Sequence, residues 1–286
     1  MVNLYLAGNK GFTSLRNIEE IYHKFINTVI IGRDKNIVND YSDLIIKYCE
    51  KNFIDYVVQN KTCNNTSDYS IAIGWRFLIN DDSKLIVFHD SILPEYRGFN
   101  PLVTSLINGD SEIGVTALKA SIEYDKGEII KQETIKISYP IKIESAIDKI
   151  SSCYANLLNS IFDKILSGNL NSKPQNESLA TYSLWRDKYD YKINWHYDSN
   201  TIKRFIDAVG YPYNGAFTFL DNSKIFIKDS EVISDVKISN RESGKVIFKE
   251  QNNYVIVCGK GLLKVAEFFD EKGEKIDLKK FRLRFR

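Results

Sequence analysis

Histidine, cysteine and proline are all scarce in this chain. Of 286 residues, three are histidine, four are cysteine, five are proline and one is methionine. The cysteines, Cys49, Cys63, Cys153 and Cys258, stand far apart, with no CxxC pair and no histidine at zinc spacing. That pattern argues against a structural zinc site, and no metal is expected. The thiols read as reduced and structural. No apolar run approaches ~18 residues, so no membrane span is expected. Residues 1–8 carry neither the basic nor the apolar region of a secretory signal, and a cytoplasmic location is expected. Neither sign of charge dominates: 39 Lys and Arg face 37 Asp and Glu, a net charge of +2. A protein that lives on nucleic-acid phosphates shows a larger or more clustered basic excess, so no nucleic-acid partner is expected. The basic run 279–286 reads as a solvated edge, with a nucleic-acid patch as the alternative.

What is present is a core. Hydrophobic residues make up 43% and charged residues 27% of the chain, enough for one large domain or two smaller ones. The first half alternates strand-like and helix-like segments. Strands are expected at 2–7, 28–32, 53–58, 69–74 and 85–88, and helices at 12–24 and 39–51, the second with Asp40 as a plausible N-cap. This βαβ rhythm predicts a mostly parallel sheet covered on both faces. A short helix at 99–108, strands at 112–122 and 128–137, and a long helix at 143–166 follow. The polar stretch 167–178, punctuated by Gly and Pro, reads as a linker. Beyond it come one helix at 199–209 and short strands at 216–220, 224–227, 232–238, 245–248, 254–257 and 262–269, the texture of a small β-barrel or sandwich. The expected division is an α/β domain over 1–170 and a smaller, mainly-β domain over 180–286.

The chemistry concentrates at the end of the 85–88 strand. His89 sits there, and in open α/β sheets ligands bind outside the carboxyl ends of the strands. Pro94 and Gly98 shape the loop that follows. Asp125 lies after a later strand and is a candidate to orient the imidazole as a general base. A histidine held by core hydrogen bonds is the plainer alternative.

The ordered elements His89-x-Ser91-Ile92-Leu93-Pro94-x-Tyr96-Arg97-Gly98, then Gly114-Val115-Thr116, then Asp125-x-Gly127-Glu128-Ile129 resemble the formyltetrahydrofolate-dependent formyltransferases. That family acts on methionyl-tRNA, glycinamide ribonucleotide and nucleotide sugars. In the second half, Tyr182-Ser-Leu-Trp185-Arg-Asp187, Ile193-Asn-Trp195 and the stretch 205–217 resemble the C-terminal part of the nucleotide-sugar N-formyltransferases. The resemblance implies a Rossmann-like catalytic domain. It also implies direct transfer of a formyl group from the co-substrate N10-formyltetrahydrofolate to an amine, with His89 managing the proton and Asp125 orienting it, and no metal.

It implies an Asn-x-His…Asp set as well, and here the sequence departs: Val87 stands where the family has asparagine. The replacement for its amide is either another donor (imidazolium, a backbone N–H, water, Asn80 or Asn100) or nothing, in a weakened relative. The folate site implied by the resemblance is Trp75, Arg76, Phe77, Leu78 and Ile79, closed by the loop 120–125 with Tyr124 and Asp125. Core packing is the alternative for Trp75 and Phe77, and an ion pair for Arg76. For the acceptor the candidates are Asn9 and Lys10 in a Gly8–Gly11 loop that a phosphate could approach, Ser91, Trp185, Arg186 and Tyr213. Simple turns and interdomain packing are the alternatives. The expected acceptor is the 4-amino group of a UDP- or dTDP-linked 4-amino-4,6-dideoxy sugar, as used in lipopolysaccharide and other bacterial surface glycans. Methionyl-tRNA formyltransferase and a folate-binding relative without turnover are the other readings, and a homodimer is left open.

Overall fold

A computed structural model describes residues 1–33, 40–59, 67–79 and 84–286. Cys63 and Asn80 therefore lie outside the described residues. The chain divides into two compact units, one of Met1–Pro101, Glu112–Lys136 and Ile147–Ser183, the other of Leu102–Ser111, Ile137–Ala146 and Leu184–Arg286. Two short middle segments thus group with the C-terminal residues, so no single cut separates the units.

The elements in chain order are β1 (Val2–Leu6), α1 (Gly8–Arg16), α2 (Glu20–His23), β2 (Ile26–Ile31), α3 (Ser42–Lys51), β3 (Tyr56–Val58), β4 (Tyr69–Ile73), β5 (Lys84–His89), β6 (Arg97–Gly98), α4 (Pro101–Asn108), β7 (Glu112–Lys119), β8 (Ile129–Lys136), α5 (Ile143–Leu166) and β9 (Tyr182–Ser183). β1 to β5, β7 and β8 form one seven-stranded sheet of order β3-β2-β1-β4-β5-β7-β8. The first five strands pair in parallel and β7 and β8 pair antiparallel. The apolar strand runs explain the burial: Leu4, Leu6, Val29, Ile31, Ile71 and Ile73 are fully enclosed, as parallel strands covered on both faces require. α5 turns one stripe inward, Ile143, Ala146, Ile150, Tyr154, Leu157, Ile161 and Phe162, at helical spacing.

Four expectations change in this part of the chain. The helix expected at 12–24 is two: α1 begins directly after β1 and ends at Arg16, and α2 is a single turn. Gly8–Gly11 is consequently the first turn of α1 rather than a loop. A Cβ on Gly11 would sit 3.1 Å from the Leu6 Cβ, so this glycine serves close packing of α1 on β1. Tyr41, in a left-handed conformation, and not Asp40, precedes α3; the Asp40 carboxylate accepts instead from the N–H and hydroxyl of Ser42. β7 ends at Lys119, three residues short of the expected strand, because Gly127 crosses it so closely that a Cβ there would meet the Lys119 carbonyl at 1.7 Å.

Beyond Ser183 the elements are α6 (Ser199–Ala208), β10 (Ala216–Leu220), β11 (Ser223–Ile227), β12 (Glu231–Ile233), β13 (Val246–Glu250), β14 (Asn253–Val257), β15 (Leu262–Val265), β16 (Phe268–Phe269) and β17 (Lys275–Ile276). They build two four-stranded sheets, β10-β11-β16-β17 and β12-β15-β14-β13, whose pairings are antiparallel. The strand expected at 262–269 splits at the exposed Ala266 and Glu267, and its halves join different sheets. The core holds Trp195, whose indole N–H donates to Thr218 Oγ1 at 2.9 Å, and a Phe268–Phe285 stack at 5.3 Å. Among the described residues no helix is long and apolar enough to cross a membrane, and no group of His, Cys, Asp and Glu could hold a metal ion. Cys49, Cys153 and Cys258 are buried free thiols; burial pushes Cys49 and Cys258 up to about 12, which keeps them unreactive.

Candidate active site

The strand order reverses between β1 and β4, so their carboxyl ends open the crevice where α/β sheets bind ligands. β5 lies beside β4, runs parallel to it and ends on His89. The side chain of His89 is buried. Its Nε2 lies 2.9 Å from the Tyr96 carbonyl oxygen and its Nδ1 lies 3.4 Å from Asp125 Oδ1. A carbonyl only accepts, so Nε2 carries the hydrogen and Nδ1 of the neutral ring carries the lone pair. Burial is the largest influence on His89 and moves its pKa below the usual 6.5, against the Asp125 carboxylate and the Tyr96 carbonyl, with the Lys10 charge adding to the decrease. The ring is therefore neutral at pH 7, as a base must be.

The loop 90–98 is fixed from inside. Thr116 Oγ1 donates to the Ser91 carbonyl at 2.7 Å and accepts from the Leu93 N–H at 3.1 Å. The Gln132 amide donates to both the Leu93 carbonyl and Thr116 Oγ1 at 2.9 Å. Tyr96 has a left-handed backbone, and its N–H donates to Thr181 Oγ1 at 2.8 Å. Ser91, a candidate for touching the acceptor, is instead buried, with its hydroxyl donated to the Glu95 carbonyl at 2.7 Å. That hydroxyl closes the loop.

Asp125 reaches His89 from the loop joining β7 to β8. Its backbone is left-handed (φ 57°), and its second carboxylate oxygen accepts from the Gly98 N–H at 2.8 Å. One carboxylate therefore bridges the imidazole and the far end of the His89 loop.

On the other side of His89 lies a cluster that sequence reasoning found only in part. The Lys10 ammonium forms an ion pair with Asp90, and Asp90 also accepts from the Tyr154 hydroxyl. Lys10 stands 5.7 Å above the Tyr154 ring, and Tyr154 stacks on Phe88. Burial, then the Arg76 charge, brings Lys10 down to about 7. Lys10 was a candidate, whereas Asp90 and Tyr154 were not. The available signals were a carboxylate next to His89 and a hydroxyl on the apolar stripe of α5. Asn9, adjacent in sequence, points elsewhere, accepting from Thr13 Oγ1 and lining a cavity of about 360 Å³ with Phe12, Arg16 and Tyr41.

The segment proposed for folate, Trp75 to Ile79, leaves the carboxyl end of β4. Trp75 packs edge-on against Tyr5 and Phe77 at 5.1 and 5.3 Å, so packing takes up part of both rings. Its indole N–H is nevertheless buried without a partner among the described residues, and Phe77 and Leu78 are exposed, as are Ile122 and Tyr124 on the loop 120–125. An unused donor beside uncovered apolar side chains fits a flat heterocycle with acceptor atoms on its edge. Ile79 is half-buried, and Arg76 is close enough to depress Lys10.

Val87 faces an apolar cluster of Leu93, Leu118 and Ile129. Of the replacements considered, Asn100 has a left-handed backbone, while Asn80 lies outside the described residues. Trp185, Arg186 and Tyr213 all belong to the second unit; Trp185 is exposed, and the Arg186 Nε is buried without a partner among the described residues. The structure thus brings His89, Asp125 and Lys10 together in the first unit and leaves these three in the second.

The chain carries a Rossmann-like sheet with a His–Asp pair at its carboxyl edge, followed by a unit of antiparallel sheets. Residues 58–159 match the family model described as "Formyl transferase" and residues 186–286 the one described as "Formyl transferase, C-terminal domain". The chain belongs to the formyl transferase family. It is 30% identical over 192 residues to methionyl-tRNA formyltransferase of Lachnospira eligens, a match covering 66% of this chain and 61% of that relative. An N-formyltransferase of Helicobacter canadensis, solved with folinic acid and dTDP-3-aminofucose, superposes with a TM-score of 0.71 at 18% identity, covering 94% of this chain and 99% of the other. A 4-N formyltransferase of Francisella tularensis superposes with a TM-score of 0.59 at 19% identity, covering 79% and 95%.

Proposed function

We propose that this protein transfers a formyl group from N10-formyltetrahydrofolate to the 4-amino group of a 4-amino-4,6-dideoxy sugar linked to UDP or dTDP, in the cytoplasm, for a bacterial surface glycan. The observation that carries the reading is the His89–Asp125 pair, held within the family's own loop at the carboxyl edge of the sheet. The co-substrate supplies the formyl carbon. Trp75, Arg76, Phe77, Leu78, Ile79 and Tyr124 would hold it, with the Trp75 N–H as a ready donor. His89 Nδ1 takes the proton that the attacking amine loses, and Asp125 stabilises the imidazolium that results. That proton then serves the nitrogen from which the formyl carbon departs. Lys10, paired with Asp90, offers a positive charge close to His89 for the acceptor, and Asn9 a polar contact; Trp185, Arg186 and Tyr213 are proposed for the nucleotide.

A second reading, methionyl-tRNA formyltransferase, draws on the Lachnospira relative. The net charge of +2 favours the sugar. The deciding experiment offers formyltetrahydrofolate with a panel of UDP- and dTDP-linked 3- and 4-amino sugars and, separately, methionyl-tRNA, and reads mass. Gain of one formyl group on a 4-amino sugar is the expected result. Formylation of methionyl-tRNA alone, with activity falling steeply as salt rises, would establish the second reading instead.

A further inference from the structure

The sheet does not by itself deliver Asp125 to His89. In the β5–β7 register His89 faces Thr116, while Lys119, the last residue of β7, faces Ile86. β7 therefore leaves the sheet three residues, about 10 Å of strand, away from His89, and the loop 120–128 has to fold back along β5. Something must hold it there.

The holding group comes from the stretch expected to be a linker. Gln175 Nε2 donates to the Asp125 carbonyl at 2.7 Å and to the Gly127 carbonyl at 2.8 Å. Gln175 Oε1 accepts from Arg97 Nε at 3.1 Å and Nη2 at 2.8 Å. A guanidinium only donates, so the amide oxygen must face Arg97 and the amide nitrogen must face the loop; the amide cannot turn over without losing all four bonds. Arg97 is fully buried and is fixed in turn by Glu177, through bonds of 2.9 and 2.7 Å. Lys173 exchanges two backbone hydrogen bonds with Ile129, which sets the height of Gln175 against the sheet. Arg97 precedes Gly98, whose N–H holds the Asp125 carboxylate.

Resting on the formyl-transfer reading, we propose that Gln175 is a positioning residue for the reaction. Its amide, oriented by Arg97, holds Asp125 in the left-handed backbone that aims its carboxylate at His89. The segment 173–177 is then part of the active site's support and not a passive connection.

Two substitutions test this. Gln175→Met keeps the length and lacks both donors and acceptor. Gln175→Glu keeps an oxygen for Arg97 and loses both donors to the loop. Both are expected to lower kcat ~10²-fold, the scale of loss for a catalytic group displaced by about 1 Å. In Gln175→Met the His89 ring, followed by NMR without any substrate, is expected to titrate at lower pH than in the parent, because the carboxylate that raises its pKa has moved away. Ser172→Ala, which removes only a surface bond to Glu128, should leave both readouts unchanged. A folded Gln175→Glu protein with parental kcat overturns the assignment, and so does an unaltered His89 titration in Gln175→Met. If the parent formylates neither amino sugars nor methionyl-tRNA, the functional reading fails while the NMR result still decides the role of Gln175.

Discussion

His89 Nδ1 and Asp125 Oδ1 stand 3.4 Å apart, and with Asp125 ionised a proton on Nδ1 makes that approach a hydrogen bond. The other ring nitrogen is committed to the Tyr96 carbonyl. The Nδ1 lone pair of the neutral ring therefore faces a carboxylate that rewards its protonation. Replacing His89 with Ala removes the base, and replacing Asp125 with Asn leaves the ring unsupported. Each is expected to lower kcat/KM by ~10²–10⁴-fold, with far-UV circular dichroism unchanged. Parental activity in His89→Ala would refute its role.

The pH dependence follows from the burial of His89. Its folded pKa lies below the unfolded value near 6.5. Between the two values the unfolded chain binds the extra proton, so the contribution of His89 to stability is complete above pH 6.5 and is lost as pH falls toward the folded pKa. The acidic limb of kcat/KM should therefore lie below pH 6.5. Asp125→Asn, which removes a charge that raises the pKa, should move the limb to still lower pH in whatever activity remains. A limb above 6.5 would contradict the burial argument.

The Lys10–Asp90–Tyr154 cluster should be felt in stability. Asp90→Asn leaves a buried ammonium without its counter-charge, at a cost of about 3 kcal/mol. With Lys10 brought down to about 7 by burial, the folded protein sheds that proton well before the unfolded chain does, near pH 10. Stability of the variant should then rise from pH 7 toward pH 10, and its deficit relative to the parent, measured by urea denaturation, should be smaller at pH 9 than at pH 6.

Much of this molecule is legible in its residues, for reasons that differ from element to element. α5 was readable to the residue because its apolar stripe repeats at helical spacing over 24 residues. β5 and His89 were readable because an uninterrupted apolar run stops at a polar residue. Gln175 was not, because its meaning lies in the carbonyls of Asp125 and Gly127, some fifty positions away. A polar stretch with Gly and Pro looks the same whether its side chains face water or a buried arginine. Ser91 misled for a related reason: its hydroxyl is satisfied four residues on, by a turn whose shape the residue types alone do not fix. Long-range pairing of polar groups carries no periodicity, so it becomes visible only once the fold is known.

The valine at position 87 poses the sharpest question about catalysis, and substitution can address it. Its side chain lies against Leu93, Leu118 and Ile129. An asparagine placed there would bury an amide against three apolar side chains, and an unsatisfied buried amide costs about 1–3 kcal/mol. Val87→Asn is therefore expected to lower stability by that amount, seen as a lower urea midpoint with an unchanged m-value, and to leave kcat no higher than in the parent. A rise in kcat would mean that an amide at this position is what the chain lacks, and that its formyl transfer runs below the rate its other residues could support.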